Sequence, residues 1–252
     1  MKTYIIYEGP SLLDGQPIVA LAQIGSNNTK TGNQLQTYIF RADIDPLEAS
    51  RSGEDFSICG NCTLRGVAHG GNEGQARDRA CYVVLFQAPL GKYRAYKRGS
   101  YSRATDIAAI GRGKTVRIGS YGDGLAVPER IWDELCSEAN GHTAYTHQKN
   151  TQPHRFMTSV ESLGEAEQAW DRGERTFRVV KSVEQMVKGE VLCPASKEAG
   201  QRTTCVSCQL CAGNSKKGKS IAIVAHGNGG KKLRQRLETT NDLTQSDAHN
   251  RV

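Results

Sequence analysis

The first part of the chain alternates apolar and polar residues in short runs, which is typical of strands joined by turns. Two such runs lie on either side of a turn at Asp14 and Gly15 and predict an antiparallel hairpin, and a third run predicts a strand at residues 34–42. A helix follows, for which Asp45 is the expected N-cap. Residues 1–50 are therefore predicted to form an N-terminal β extension.

After residue 50 the pattern changes to apolar runs of strand length that alternate with amphipathic helices and glycine-rich loops. Strands are predicted within residues 80–87, 114–124, 142–148, 154–162 and 176–182, and helices within residues 89–101, 128–141 and 163–174. Repeated βα units favour a parallel sheet whose functional loops lie at the carboxyl ends of the strands. We therefore expect an α/β fold, with a partial (β/α) barrel over residues 51–190.

Two further segments complete the chain. Residues 191–236 hold four cysteines and an apolar run that predicts a final strand, so they are predicted to form a cysteine-rich C-terminal module. Residues 237–252 are polar and have no apolar period, which predicts a flexible tail.

Composition limits the environment in which the protein works. The 252 residues contain 37% hydrophobic residues, and their mean hydropathy is −0.54. No apolar run approaches the ~18 residues that span a bilayer, and the N-terminus lacks the pattern of a signal peptide. We therefore expect a cytoplasmic protein with no membrane partner, in a compartment where disulfides are rare. Eight cysteines in that setting indicate metal or redox chemistry.

The net charge of +7 is concentrated in two basic segments, residues 92–117 and 213–236. The first segment also carries Tyr93, Tyr96 and Tyr101. Clustered positive charge with interleaved aromatic residues favours a phosphate-bearing partner, which would be a nucleotide or a nucleic acid. A solvated basic face is the alternative interpretation. The sequence leaves the oligomeric state open.

The sharpest chemical signal is a set of four cysteines, here called the quartet: Cys193, Cys205, Cys208 and Cys211. Three of them are spaced C-x2-C-x2-C, so that successive sulfurs can face one centre. Four thiolates satisfy a tetrahedral zinc ion, and all-cysteine zinc sites are closed structural sites. Four thiolates equally satisfy a [4Fe–4S] cluster, for which this spacing is of the ferredoxin type. Both metals stay open at this point.

A second set, here called the trio, consists of Cys59 and Cys62 at CxxC spacing and Cys81 nineteen residues further on. Three thiolates leave one coordination position free, which a reactive metal site needs and a structural site fills. His69 is a candidate fourth ligand and would complete a structural zinc site. The eighth cysteine, Cys136, lies on the apolar face of a predicted helix and is expected to be a buried small hydrophobe.

Residues 50–230 carry a series of motifs that resembles a known family. The series consists of FSICGNC, RACYV, KYRAYKRGSY, VRIGSYGDG, HTAYTHQ, FMTSVES, CPAS, TTCVSCQLCAG and IAIVAHG. It resembles the phage proteins of the "gene product eighty-eight" type and, more remotely, phage proteins with a radical-SAM-like barrel. The latter share a cysteine trio that ends in Cys-Tyr, a Gly/Ser-Asp turn after a strand, and a Ser-Val-Glu strand end.

The resemblance implies a [4Fe–4S] cluster on the trio, with S-adenosylmethionine bound to its open iron and cleaved to a 5′-deoxyadenosyl radical. It also implies an auxiliary cluster on the quartet and a location in the host cytoplasm. The residues implied to bind the cofactor follow two predicted strands: Gly119, Ser120, Gly122, Asp123, Ser159 and Glu161. Radical-SAM enzymes usually carry a compact CxxxCxxC, whereas this chain has CxxC and then a long gap.

Further candidates come from single positions. Arg178 lies in an apolar predicted strand, which places it either at an edge or in the site, and we expect the site. His147 and His154 flank a polar loop and are expected on the surface. His226 precedes a glycine loop that is suited to a phosphate, with plain surface as the alternative.

Two functions follow from these patterns. The first is an iron–sulfur, radical-SAM-like enzyme that acts on a nucleotide or a nucleic acid. The second is a zinc-stabilised nucleic-acid-binding protein without catalysis, in which both cysteine sets are structural. The first requires an open iron site, and the second predicts a colourless protein whose affinity for nucleic acid falls steeply with salt.

Overall fold

The computed structural model of the chain describes residues 1–149, 155–214, 218–227 and 229–237. The strands are β1 Thr3–Pro10, β2 Pro17–Gln23, β3 Leu35–Arg41, β4 Ser102–Arg103, β5 Thr115–Tyr121, β6 Gly141–Thr146, β7 Met157–Val160, β8 Thr176–Val180, β9 Glu190–Leu192 and β10 Ser220–Val224. The helices are α1 Pro46–Ser52, α2 Phe56–Cys59, α3 Ala88–Lys97, α4 Ile107–Gly111, α5 Glu129–Cys136, α6 Leu163–Asp171, α7 Cys205–Cys208 and α8, residues 230–237. Among these described helices, none has the length and apolarity needed to cross a membrane.

The predicted N-terminal hairpin is confirmed. β1 pairs antiparallel with β2, from Thr3 opposite Gln23 to Pro10 opposite Pro17, and β2 pairs antiparallel with β3. Every residue of β2 after the first is buried, so this strand is covered on both faces. The two-residue strand β4 pairs with β1 and forms one edge of the sheet.

Six strands then keep the same order along the chain and across the sheet, and all of them are parallel: β3, β5, β6, β7, β8 and β10. β9 adds a parallel edge strand beside β10. The α/β class is therefore confirmed, but the ten-stranded sheet is mixed and open, with β4 and β9 at its edges, and is not a closed barrel. Because β3 is the first strand of the parallel run, the predicted boundary at residue 50 falls inside one continuous sheet.

Helix α5 covers one face of the parallel strands. Its apolar side buries Ile131, Trp132 and Leu135, which join Val116 and Ile118 of β5 in the main hydrophobic core. Side chains of a strand point alternately to its two faces. The residues of β5 that lie between these core positions therefore point to the opposite face, away from α5.

The prediction of a strand at residues 80–87 is wrong. The segment is an irregular loop that leads into α3. The cause is Arg79, whose Nη1 donates to Cys81 O at 3.3 Å and to Val83 O at 2.7 Å. These carbonyl groups turn toward the guanidinium and are not paired with a neighbouring strand.

The quartet segment packs on the sheet instead of forming a unit of its own. The backbone N–H of Cys205 donates to Lys30 O at 3.0 Å, and the N–H of Ala144 on β6 donates to Cys211 O at 3.0 Å. The predicted final strand is present as β10, inside the sheet. Residues 238–252, which include nearly all of the predicted tail, lie outside the described residues.

Candidate functional site

A cavity of about 450 Å³ lies on the face of the sheet opposite α5. Alternate side chains of the parallel strands form its wall, among them Arg117, Tyr121, Tyr145, Phe177 and Ile223. Loops at the carboxyl ends of β3, β5, β6 and β10 continue that wall. All seven cysteines of the trio and the quartet line this cavity, so the fold brings two distant segments of the sequence to one site.

The three thiols of the trio are close enough to influence one another's charge. Cys81 is held next to the CxxC loop because its backbone N–H donates to Leu64 O at 3.0 Å. Burial raises the pKa of Cys59 well above its usual range, and Cys62 and Cys81 raise it further. Burial also raises the pKa of Cys81, whereas the Arg79 guanidinium lowers it. The three thiols therefore influence one another's ionisation, and the Arg79 cation favours the thiolate of Cys81.

Gln148 fixes the backbone of the CxxC loop. Its Nε2 donates to Cys59 O at 2.9 Å and to Asp123 Oδ2 at 3.1 Å, and its Oε1 accepts the Asn61 N–H at 3.2 Å. Gly60 lies against this amide with a φ of +51°, and a Cβ at that position would overlap the Gln148 side chain. Only glycine fits there, so the CxxC loop is joined to the segment that follows β6.

His147 lies in the cavity wall, and the prediction that it is a surface residue is wrong. Its side chain is 24% exposed, and its Nε2 lies 3.0 Å from Glu161 Oε1. Burial lowers the pKa of His147, but its interactions with Cys62 and Glu161 outweigh burial and raise that pKa well above its usual range. His147 thus connects the trio to a carboxylate that stands behind the cavity wall.

The thiols of the quartet are also mutual neighbours, and Cys193 and Cys211 are buried. Burial raises the pKa of Cys211 to about 12, although its hydrogen bond with the Tyr145 phenol acts in the opposite direction. Burial raises the pKa values of Cys193 and Cys205 as well, and Lys30 lowers both. A cation therefore stands beside the quartet, as Arg79 stands beside the trio.

Two side chains hold the quartet loop in place. Arg175, next to β8, donates through Nη2 to Leu210 O at 2.9 Å. Gln209 donates through Nε2 to Thr115 Oγ1 at 3.3 Å, and Gly141 lies against its amide with no room for a Cβ. Gln209 and Gly141 repeat at the quartet the arrangement of Gln148 and Gly60 at the trio.

The residues implied to bind a cofactor gather at the cavity. Five of them form part of its wall: Gly119, Ser120, Gly122, Asp123 and Ser159. The sixth, Glu161, lies behind the wall, where its carboxylate contacts His147. Gly119 and Gly122 have φ values of +73° and +83°, which favour glycine in the turn. The Ser120 hydroxyl donates to Gln36 Oε1 at 2.6 Å. Their roles toward a ligand stay predictions.

Asp123 is already engaged within the fold. Its Oδ1 accepts the Leu125 N–H at 3.0 Å, and its Oδ2 accepts the Thr146 hydroxyl at 2.8 Å and the His147 N–H at 3.0 Å, in addition to the Gln148 amide. This carboxylate joins the loops after β5 and β6. Its role at the site is thus to position those loops.

Arg178 and His69 lie outside the described wall of the cavity. Arg178 pairs with Glu190 through Nε–Oε1 and Nη2–Oε2 contacts of 2.7 and 2.6 Å, and the two side chains are 5% and 0% exposed. His69 Nε2 lies 3.1 Å from Gln75 O. Arg178, which was expected in the site, is used in this buried pair, and His69, the candidate fourth ligand, makes a local contact. His154 lies outside the described residues.

The basic segment at residues 92–117 does not present one uniform positive face. Arg103 pairs with Glu8, and Arg112 pairs with Glu138. Arg117 points into the cavity. Residues 215–217 and 228 of the second basic segment lie outside the described residues. Of the three arginines, Arg117 is therefore the one whose positive charge lies at the cavity.

Sequence reasoning missed several cavity residues that have no motif of their own. Arg117 could have been found from strand alternation, because it shares a face with Gly119 and Tyr121. Lys30 and Gln148 carry no comparable local signal. Lys30 reaches the cavity from a loop before β3, and its Nζ lies 3.2 Å from His226 Nε2.

In the part of the chain that the structure describes, no three His, Cys, Asp or Glu side chains are grouped closely enough to hold a single metal ion. The thiols line a common cavity, but they do not converge on a position where one metal ion could bind. A scan against protein-family models, a search of curated proteins and a search of solved structures find no match to this chain. The case for a function therefore rests on the chemistry of the site.

Proposed function

We propose that the protein is an iron–sulfur enzyme with a radical-SAM-like partial (β/α) barrel. In this proposal the trio binds a catalytic [4Fe–4S] cluster and the quartet binds an auxiliary cluster. One observation carries it: seven cysteines from two separate motifs line a single cavity on one face of six parallel strands. Active sites of parallel α/β folds lie at the carboxyl ends of the strands, and the CxxC loop follows the first strand of the run.

The charges around the thiols fit ligands that bind as thiolates. Burial by itself opposes thiolate formation. Arg79 lowers the pKa of Cys81, and Arg117 and Lys30 lower that of Cys205. A bound metal centre adds to this effect, because a coordinating thiol is deprotonated outright.

The two sets fit different tasks. The quartet supplies a complete set of four thiolates, whereas the trio supplies three and leaves one iron open to the cavity. S-adenosylmethionine on that iron supplies a carbon radical when an electron cleaves it. Residues of this chain line the same cavity: the turn at Gly119 and Gly122 forms part of its wall, and His147, oriented by Glu161, keeps a polar group beside Cys62.

The dimensions of the cavity favour small molecules over a nucleic-acid duplex. Sites for small molecules occupy about 300–1,000 Å³, and this cavity has about 450 Å³. The rings of Tyr121, Tyr145 and Phe177 in its wall suit an unsaturated, flat group. The substrate we propose is therefore a small molecule that enters the space between the two cysteine sets.

The experiment is metal analysis of protein purified without oxygen, followed by a turnover assay. We expect about eight irons per chain and a coloured protein if both clusters form. After reduction, the protein is expected to release 5′-deoxyadenosine from S-adenosylmethionine. Cys136→Ser serves as the matched control, because Cys136 lies outside the cavity wall and its loss leaves iron and turnover unchanged.

A colourless protein with stoichiometric zinc would refute the proposal. The specific observation behind that second candidate is the quartet of partly buried thiols, since all-cysteine zinc sites are structural. The protein would then be a zinc-stabilised binding protein, and its retention on nucleic acid would fall steeply with salt.

A further inference from the structure

Arg117 is a cation in the cavity wall that has no acidic partner. Its Nη2 donates to the Tyr82 hydroxyl at 2.8 Å, and its guanidinium lies 5.9 Å from the centre of the same ring. In the described part of the chain, no Asp or Glu carboxylate pairs with it. A guanidinium has five N–H donors, and an arginine withdrawn from water is normally paired with a carboxylate or a phosphate. Arg117 therefore has donors left for a ligand.

The acids of the cavity wall are already occupied. Among the described lining residues, the carboxylates belong to Asp55 and Asp123. Asp55 pairs with Arg65 at 2.5 Å. Asp123 accepts hydrogen bonds from the loops after β5 and β6. The cavity therefore keeps a surplus of positive charge that these acids do not balance.

Lys30 is a second cation in the wall of the cavity, with its Nζ 3.2 Å from His226 Nε2. Lys30, Arg117 and Cys205 all line the cavity, and both cations lower the pKa of the Cys205 thiol. His226 is already engaged, because its Nδ1 donates to Val224 O at 2.7 Å and its Nε2 accepts from Lys30. Two cations, from β5 and from the loop before β3, thus line the cavity that also holds Cys205.

We propose that Arg117 and Lys30, the latter positioned by His226, form an anion subsite that binds the phosphate of a nucleotide-sized substrate. The inference rests on the proposed function in placing that phosphate within reach of a reaction centre, but the binding itself does not need one. Two separate cations suit the several oxygens of a phosphate better than the two oxygens of a single carboxylate. The phosphate end of the substrate lies beside the quartet, and the remainder extends toward the trio.

Binding is measured by calorimetry on the anoxically purified full chain, with uridine 5′-monophosphate, uridine, inorganic phosphate and citrate as probes. A pyrimidine probe is chosen because it does not share the adenosyl group of the proposed cofactor. We expect the monophosphate to bind at least about tenfold more tightly than uridine, and inorganic phosphate to compete where citrate does not. Arg117→Gln is expected to remove the tenfold preference while the iron content stays constant.

The matched control is Arg112→Gln, which removes a positive charge five residues away that is paired with Glu138 on the exterior. It is expected to leave the preference for the monophosphate intact. Equal binding of uridine and its monophosphate by the wild-type chain would overturn the inference. So would loss of iron in Arg117→Gln without a change in that preference, because Arg117 would then balance only the charge of the quartet. If the purified protein contains no iron, the proposed function is refuted. The same calorimetric titrations still show whether the phosphate subsite exists.

Discussion

The trio and the quartet line one cavity, but they are assembled in different ways. The quartet comes from one continuous stretch of nineteen residues, and three of its thiols are spaced over a single helical turn and the residues after it. The trio comes from two loops, which are joined by hydrogen bonds from Cys81 and Ala80 to Leu64 O. The quartet is therefore set by local sequence, whereas the trio depends on tertiary contacts.

This difference indicates which set is suited to reaction. A set of four thiolates is complete, and its loop is anchored by Arg175 and Gln209. A set of three is incomplete, and His147 and the glycine-rich loop after β5 lie beside it in the same cavity. Under the proposed function, the trio carries the substrate chemistry and the quartet has a supporting role, and four changes test that proposal.

The largest effect is expected for Cys81→Ser. The loss of one of three thiolates removes the trio cluster, so iron falls by about four per chain and cleavage of S-adenosylmethionine is abolished. Metal analysis and release of 5′-deoxyadenosine measure the two results, with Cys136→Ser as control. If Cys81→Ser retained all the iron, the three thiols would not share one centre.

Arg178→Met is expected to cost about 3–5 kcal/mol of the free energy of unfolding, because it leaves the buried carboxylate of Glu190 without its cationic partner. Urea denaturation at pH 7 measures this. The double change Arg178→Met with Glu190→Leu is expected to recover most of the loss. Iron per folded chain stays at the wild-type value in both variants, since the pair lies outside the cavity wall. A drop in iron without a drop in stability would show that Arg178 contributes to the metal site and not only to the fold.

Gln148→Leu and Gln209→Leu form a matched pair, because each glutamine packs on a glycine next to one cysteine set. Each change leaves polar groups unpaired at a cost of about 1–3 kcal/mol. We expect Gln148→Leu to speed the loss of iron and of turnover together on exposure to a chelator. Gln209→Leu is expected to release the quartet iron first, while turnover declines later. The same order of loss in both variants would show that the two sets are not independent.

Glu165→Gln is expected to give the smallest effect. Burial raises the pKa of Glu165, but hydrogen bonds from Lys149 and from the backbone of Glu161 and Ser162 outweigh it and lower that pKa. A carboxylate whose pKa is lower in the folded chain stabilises the fold above about pH 4 and loses that contribution as the pH falls through the folded value. Glutamine keeps the capping box that Glu165 forms with Ser162.

Thermal melts between pH 7 and pH 3 test this prediction. The wild-type chain is expected to be a few degrees more stable than Glu165→Gln at pH 7, and the two melting temperatures converge at the acidic end. A constant difference at every pH would mean that the charge of Glu165 contributes nothing and that the amide disturbs the cap.

The repeating patterns of the sequence determined most of the elements. Strand β2 and helix α5 were predictable because their burial follows from their own alternation or helical period. The two cysteine sets were equally visible, because metal ligands must have particular side chains at particular spacings. The loop at residues 80–87 was not predictable. Its apolar residues resemble those of a strand, but its carbonyl groups accept hydrogen bonds from Arg79.

The tertiary structure alone decided which residues share the cavity. No local pattern brings Lys30 next to His226, places His147 between Cys62 and Glu161, or pairs Arg178 with Glu190. A periodic pattern records whether a residue is buried, because burial depends on the face of its own element. It does not record the partner of a polar side chain, because that partner comes from a distant part of the chain and is chosen by the way the strands are ordered in the sheet.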